Sequence, residues 1–125
     1  MFKFKGFGSP QVKPMSDQVI LALTTCPDEA SAQAVAAALV QERLATCVNR
    51  IGAMRSTYFW DARLQDEAEI LLIIKTTAGR LDELRTRLGD LHPYELPELL
   101  AIEVAGGNER YLEWVRMGVR RKDQE

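Results

Sequence analysis

The period of the apolar positions changes repeatedly along the chain and marks out its elements. Val19-Ile20-Leu21-Ala22-Leu23 is a short apolar run and predicts a strand over Gln18–Thr25, stopped by Pro27. Asp28 is placed to cap a helix, and Ala32, Val35, Ala36 and Leu39 then recur at helical spacing, predicting a helix to about Leu44. Ala45–Trp60 and Glu67–Thr77 predict the arms of a long hairpin joined by the polar stretch Asp61–Asp66. Ile70–Ile74 is too short for an ordinary helix and reads as a central strand covered on both faces. Thr77 is the predicted cap of a second helix, with Leu81, Leu84, Leu88 and Leu91 on one stripe, ended by His92-Pro93. Leu99–Val104 predicts a fourth strand. Gly106-Gly107 turns the chain, and Asn108 caps a last helix with Tyr111, Leu112, Trp114 and Val115 as its apolar side.

The predicted order is β-α-β-β-α-β plus a helix. Two right-handed crossover units joined by a hairpin predict an α+β fold: a ferredoxin-like βαββαβ sandwich with an extended β-hairpin and a C-terminal helix. The domain is expected over 18–118, with 1–17 as an N-terminal extension outside the core and 119–125 as a polar tail. Two features predict self-association. The first hairpin arm is longer than the chain's own helices can cover and ends in Tyr58-Phe59-Trp60, and one sheet face is left with only the short last helix.

Composition narrows the class. The 125 residues suit one domain, and the net charge of −2 argues against nucleic acid as a partner. The only basic run, Arg116 to Lys122, suits a solvated helix end. No stretch approaches the roughly 20 apolar residues that span a bilayer, and Met1–Gly8 lacks the apolar core of a secretory signal, so a cytoplasmic protein without membrane contact is expected. Two cysteines, Cys26 and Cys47, make no disulfide framework.

Candidate chemistry is sparse. His92-Pro93-Tyr94-Glu95-Leu96-Pro97-Glu98 holds the only histidine and two stiffening prolines, and serves either as a functional loop or as a rigid connection. Cys26 follows the first strand, and the split topology brings it to the same sheet edge as His92. A thiolate and an imidazole favour copper or zinc, but two ligands fall short of the four in a structural zinc site. The expectation is a weak site, or one shared between subunits. Asn49, Lys75, Tyr94 and Glu98 are candidates for a cleft that takes a small anion or metabolite, and Glu69 or Glu98 are candidate partners for Lys75. No nucleophile–base–orienter set is visible, so no enzyme is expected and no cofactor is required; Tyr94 with Glu98 as acid and base is the remaining catalytic pair.

Six blocks carry a resemblance: Thr25-Cys26-Pro27-Asp28-Glu29, Glu42 to Asn49, Ser56-Thr57-Tyr58-Phe59-Trp60, Ile73-Ile74-Lys75-Thr76, His92 to Glu98, and Asn108 to Trp114. In this order they resemble CutA, the divalent-cation tolerance proteins. The resemblance implies a ferredoxin-like subunit in a homotrimer of PII-like architecture, a cytoplasmic setting in bacteria, and a role in copper and other divalent-metal tolerance without a known reaction. It also implies metal binding through a cysteine near the end of the first strand and through the histidine of the HPY motif, here His92 with Cys26. Thr24 stands where some relatives place that cysteine, Leu91 where some carry a second histidine, and the turn Asp61-Ala62-Arg63 lacks the family's glycine. The rival reading is a PII-like trimeric sensor or signalling scaffold with inter-subunit ligand clefts.

Overall fold

The computed structural model describes residues 16–121, so the expectations for 1–15 and 122–125 lie outside the described residues. The elements are β1 (Val19–Cys26), α1 (Glu29–Gln41), β2 (Cys47–Trp60), β3 (Arg63–Thr77), α2 (Leu81–Leu91), β4 (Leu100–Glu103) and α3 (Glu109–Gly118). The four strands form one sheet in the order β2-β3-β1-β4, antiparallel at every pairing.

Strand alternation divides the apolar residues between the two faces. Ala22 and Cys26 of β1, with Leu72 and Ile74 of β3, pack under Ala32, Val35, Ala36 and Leu39 of α1 and Leu84 and Leu88 of α2. Burial of each such leucine contributes roughly 1.5–3 kcal/mol. The small alanines let α1 lie close to the sheet. On the opposite face α3 covers only one end, where Leu112 and Val115 bury Val19. The rest of that face carries Leu21, Leu23, Leu71 and Ile73, all half-buried, with Ile51 (46% exposed), Leu100 (56%) and Ile102 (50%). Ile70–Ile74 is therefore central in the sheet but covered within the chain on one face, not two. Tyr111 and Trp114 of α3 are also half-exposed, against the expectation that they join its buried side.

Local chemistry sets the element ends. The Asp28 carboxylate accepts from the Ser31 amide at 2.8 Å and caps α1. α1 stops at Gln41, short of Leu44, because Arg43 takes φ 60° and the amides of Leu44 and Ala45 return to the Leu39 carbonyl. Thr77 makes no side-chain cap; a single 3-10 turn, Ala78–Arg80, leads into α2 instead. Asn108 caps α3 by accepting from the amides of Arg110 and Tyr111. At the other end of α3, a Cβ on Gly118 would lie 2.8 Å from the Thr46 Cβ, so the helix packs on Thr46, the residue before β2, only because residue 118 has no side chain.

The hairpin is longer than its polar stretch suggested. Trp60 pairs with Arg63, which leaves only Asp61 and Ala62 to turn, at φ 55° and 60°. This is the pair of left-handed residues that a type I′ turn requires. Arg63–Asp66, expected in the turn, belongs to β3, where Arg55 of β2 bonds the Asp66 carboxylate at 3.0 Å. Lower in the hairpin Ile51 pairs with Leu71 but Met54 with Glu69, so Gly52 and Ala53 together face Ile70 in a bulge.

Candidate functional site

His92 sits where α2 gives way to extended backbone, and it is 7% exposed. Its Nε2 is 2.6 Å from the Thr25 carbonyl, which only accepts, so Nε2 carries the proton and donates. Nδ1 accepts the Tyr94 amide at 3.0 Å. The ring thus ties the end of β1 to the loop after α2, and both nitrogens are engaged. The Cys26 Sγ lies 3.8 Å from Nε2 and is fully buried. Burial pushes the Cys26 thiol up to about 11; Asp28 and Glu69 add to the rise and a Ser31 bond offsets part of it.

One turn of the loop further, Tyr94 packs tilted against His92 at 4.8 Å and donates its hydroxyl to Glu69 at 2.8 Å. Burial, then the Glu69 bond and charge, hold the Tyr94 hydroxyl well above the usual phenol range. Glu69 is 8% exposed. Beside it Tyr58 donates to Glu67 at 2.6 Å, which holds that phenol protonated in the same way. These pairs border a cleft of about 710 Å³ between the hairpin tip and the His92–Glu98 loop, also lined by Trp60 and Glu98.

The structure therefore brings Cys26 and His92 together, and places Tyr94 and Glu98 on one cleft beside them. It does not bring Asn49 and Lys75 there. Asn49 pairs with Ile73 and is exposed, and Lys75 pairs with Leu21, both toward the other end of the sheet. Lys75 donates to the Tyr111 hydroxyl at 3.1 Å, which raises its ammonium pKa, and lies 5.5 Å from that ring's centre. A carboxylate partner was expected; Glu69 is six residues away on the same strand, about 20 Å, and cannot serve. Glu69 was read only as a candidate partner for Lys75, and the Thr25 carbonyl was not read as a site group. Neither leaves a periodic trace, and each matters only through a partner distant in sequence.

Chemically, the pair offers a metal two donors, and both are protonated. Among the described residues no group of three or more His, Cys, Asp or Glu side chains could hold a metal ion. A closed tetrahedral site does not fit these residues. Nor is Cys26 an activated nucleophile, since its neighbouring ring nitrogen already bears a proton directed at Thr25.

The sheet order and the two crossover helices on one face define a ferredoxin-like α+β protein with an extended hairpin. Residues 20–117 match the family described as CutA1 divalent ion tolerance protein, and the chain belongs to that family. A relative from Pectobacterium atrosepticum, named divalent-cation tolerance protein CutA, is 39% identical over 86% of this chain and 97% of its own. The crystal structure of CutA from Xylella fastidiosa superposes with a TM-score of 0.81 at 43% identity, covering 82% of this chain and 99% of that one. A rice relative named as chloroplastic is 38% identical over 81% of this chain and 57% of its own. No helix among the described residues is long and apolar enough to cross a membrane.

Proposed function

We propose that this protein serves divalent-cation tolerance as a non-enzymatic homotrimer in the cytoplasm, where copper or zinc meets it weakly at Cys26 and His92. The observation that carries the reading is the 3.8 Å approach of a buried thiol to a buried imidazole at the edge of the sheet. Two free cysteines suit a reducing compartment, and the uncovered apolar sheet face suits association of copies. Weakness follows from the protons. The ion must displace the Cys26 proton, held by a group whose pKa is about 11, and turn His92 to a tautomer that gives up the Thr25 and Tyr94 bonds.

Calorimetric titration of copper and zinc tests this. Affinity is expected to strengthen about tenfold per pH unit between about pH 7 and 8, because one thiol proton is released well below its pKa. It is expected to vanish in His92→Ala. Unchanged binding in that variant removes His92 from the site.

A second reading, a PII-like sensor, is favoured by the cleft itself. Within one chain its carboxylates Glu67, Glu69 and Glu98 suit a hydrogen-bond donor or cation better than a small anion. The same titration separates the two: metal heat that persists unchanged in His92→Ala would belong to the cleft and not to the Cys26–His92 pair.

A further inference from the structure

The cleft of about 710 Å³ between the hairpin tip and the His92–Glu98 loop lies within the range of small-molecule sites, roughly 300–1,000 Å³. Its charge is of one sign. Four carboxylates line it, Glu67 and Glu69 from β3 and Glu95 and Glu98 from the loop, and no lysine or arginine does. Tyr58, Trp60 and Tyr94 supply aromatic wall between them. We infer that this cleft binds the primary ammonium group of a small organic amine. The inference deepens the sensor reading and rests on it for the cleft being a ligand site.

The negative charge is not balanced within the chain. Among the described residues none of these four carboxylates forms an ion pair. Glu67 and Glu69 have only neutral phenols as side-chain partners, Tyr58 at 2.6 Å and Tyr94 at 2.8 Å. Glu95 and Glu98 are exposed. The arginines of the hairpin are placed elsewhere. Arg55 is paired with Asp66 at 3.0 Å, and Arg63, opposite Trp60 at the tip, does not line the cleft.

Glu69 is an independent pointer to a ligand. It is 8% exposed and lines the cleft, yet only its Oε2 is bonded, by Tyr94; among the described residues Oε1 has no partner. A carboxylate so far from water is costly unless an opposite charge and further hydrogen bonds reach it. An ammonium N–H donating to Oε1 supplies both. Aromatic rings attract a cation that has left water, and the tyrosine bonds hold Glu67 and Glu69 in place, which lowers the ordering cost of binding. The form of the cation follows from spacing. No three acidic, histidine or cysteine side chains among the described residues are gathered tightly enough to hold a metal ion, so the carboxylates suit a cation with a body. Pro93 and Leu96, the latter 76% exposed, line the same cleft and offer apolar contact to its alkyl part.

The test is calorimetric titration of butylammonium, tetramethylammonium and butyrate into the full chain at low ionic strength. Saturable butylammonium binding is expected, weakened by added salt. Tetramethylammonium has the charge without an N–H donor and is expected to bind more weakly; equal affinity overturns the assignment to a primary amine. Glu95→Gln with Glu98→Gln, both at exposed positions, is expected to weaken butylammonium about tenfold with circular dichroism unchanged. Glu69→Gln keeps an acceptor for Tyr94, loses the charge and is expected to weaken it as well. Equal affinity in both variants overturns the assignment. Butyrate binding without butylammonium binding overturns the cation and leaves the cleft as a ligand site. No saturable heat from any of the three at millimolar concentration overturns the assignment and removes the sensor reading with it.

Discussion

The side chains at the end of β1 show how far single residues were legible. Topology alone brought Cys26 and His92 to one sheet edge, because β1 and β4 are antiparallel neighbours and the His92 loop leads into β4. It did not reveal the protonation of the ring. That depends on the Thr25 carbonyl and the Tyr94 amide, two backbone groups whose positions no side-chain pattern encodes. Thr24 carries a further consequence of burial. It is fully buried on the helix-facing side of β1, and its hydroxyl has no hydrogen-bond partner among the described residues. An unmade buried hydrogen bond costs about 1–3 kcal/mol. Thr24→Val keeps the shape and removes the hydroxyl, so it is expected to stabilise the fold by about 1 kcal/mol, read as a raised denaturant midpoint with an unchanged slope.

Among the elements, those built on periodicity were the easiest to read. The leucine stripe of α2 and the alanine face of α1 both point into the core as spaced. The hairpin was harder. Its tip is polar, so composition suggested a long loop, whereas cross-strand pairs such as Arg55 with Asp66 and Tyr58 with Glu67 hold the strands together to the last two residues. Side-chain pairing across strands is invisible to a count along one strand. The turn that results places Ala62 at φ 60°, where a Cβ costs roughly 1–2 kcal/mol. Ala62→Gly is expected to stabilise by about 1 kcal/mol, the relief being reduced by the greater freedom of glycine when unfolded. Thermal unfolding of the two proteins side by side measures it.

For the whole molecule, the decisive feature is the face that α3 leaves open. Leu21, Leu23, Leu71 and Ile73 lie along its middle, flanked by Ile51, Leu100 and Ile102. A contiguous apolar surface of this kind is rarely left in water. Light scattering of the wild type is expected to give about three times the 14.1 kDa chain mass. Ile73→Asp, which puts a charge in the centre of that face, is expected to drop the mass toward one chain. A wild type at the mass of a single chain would end the trimer reading. Association was legible only as a deficit of cover, since the sequence of one chain says what is bare and not what would lie against it. The paired residues Gly52 and Ala53 bear on this in a way of their own. Below them, odd-numbered positions of β2 share a side with odd-numbered positions of β3; above them, even ones do. That change of parity is why Tyr58 and Trp60 stand with Glu67 while Phe59 turns away with Leu64. Removing one residue there would trade the hydroxyl and the indole for a bare phenyl ring, rewriting what the tip displays without altering a letter of it.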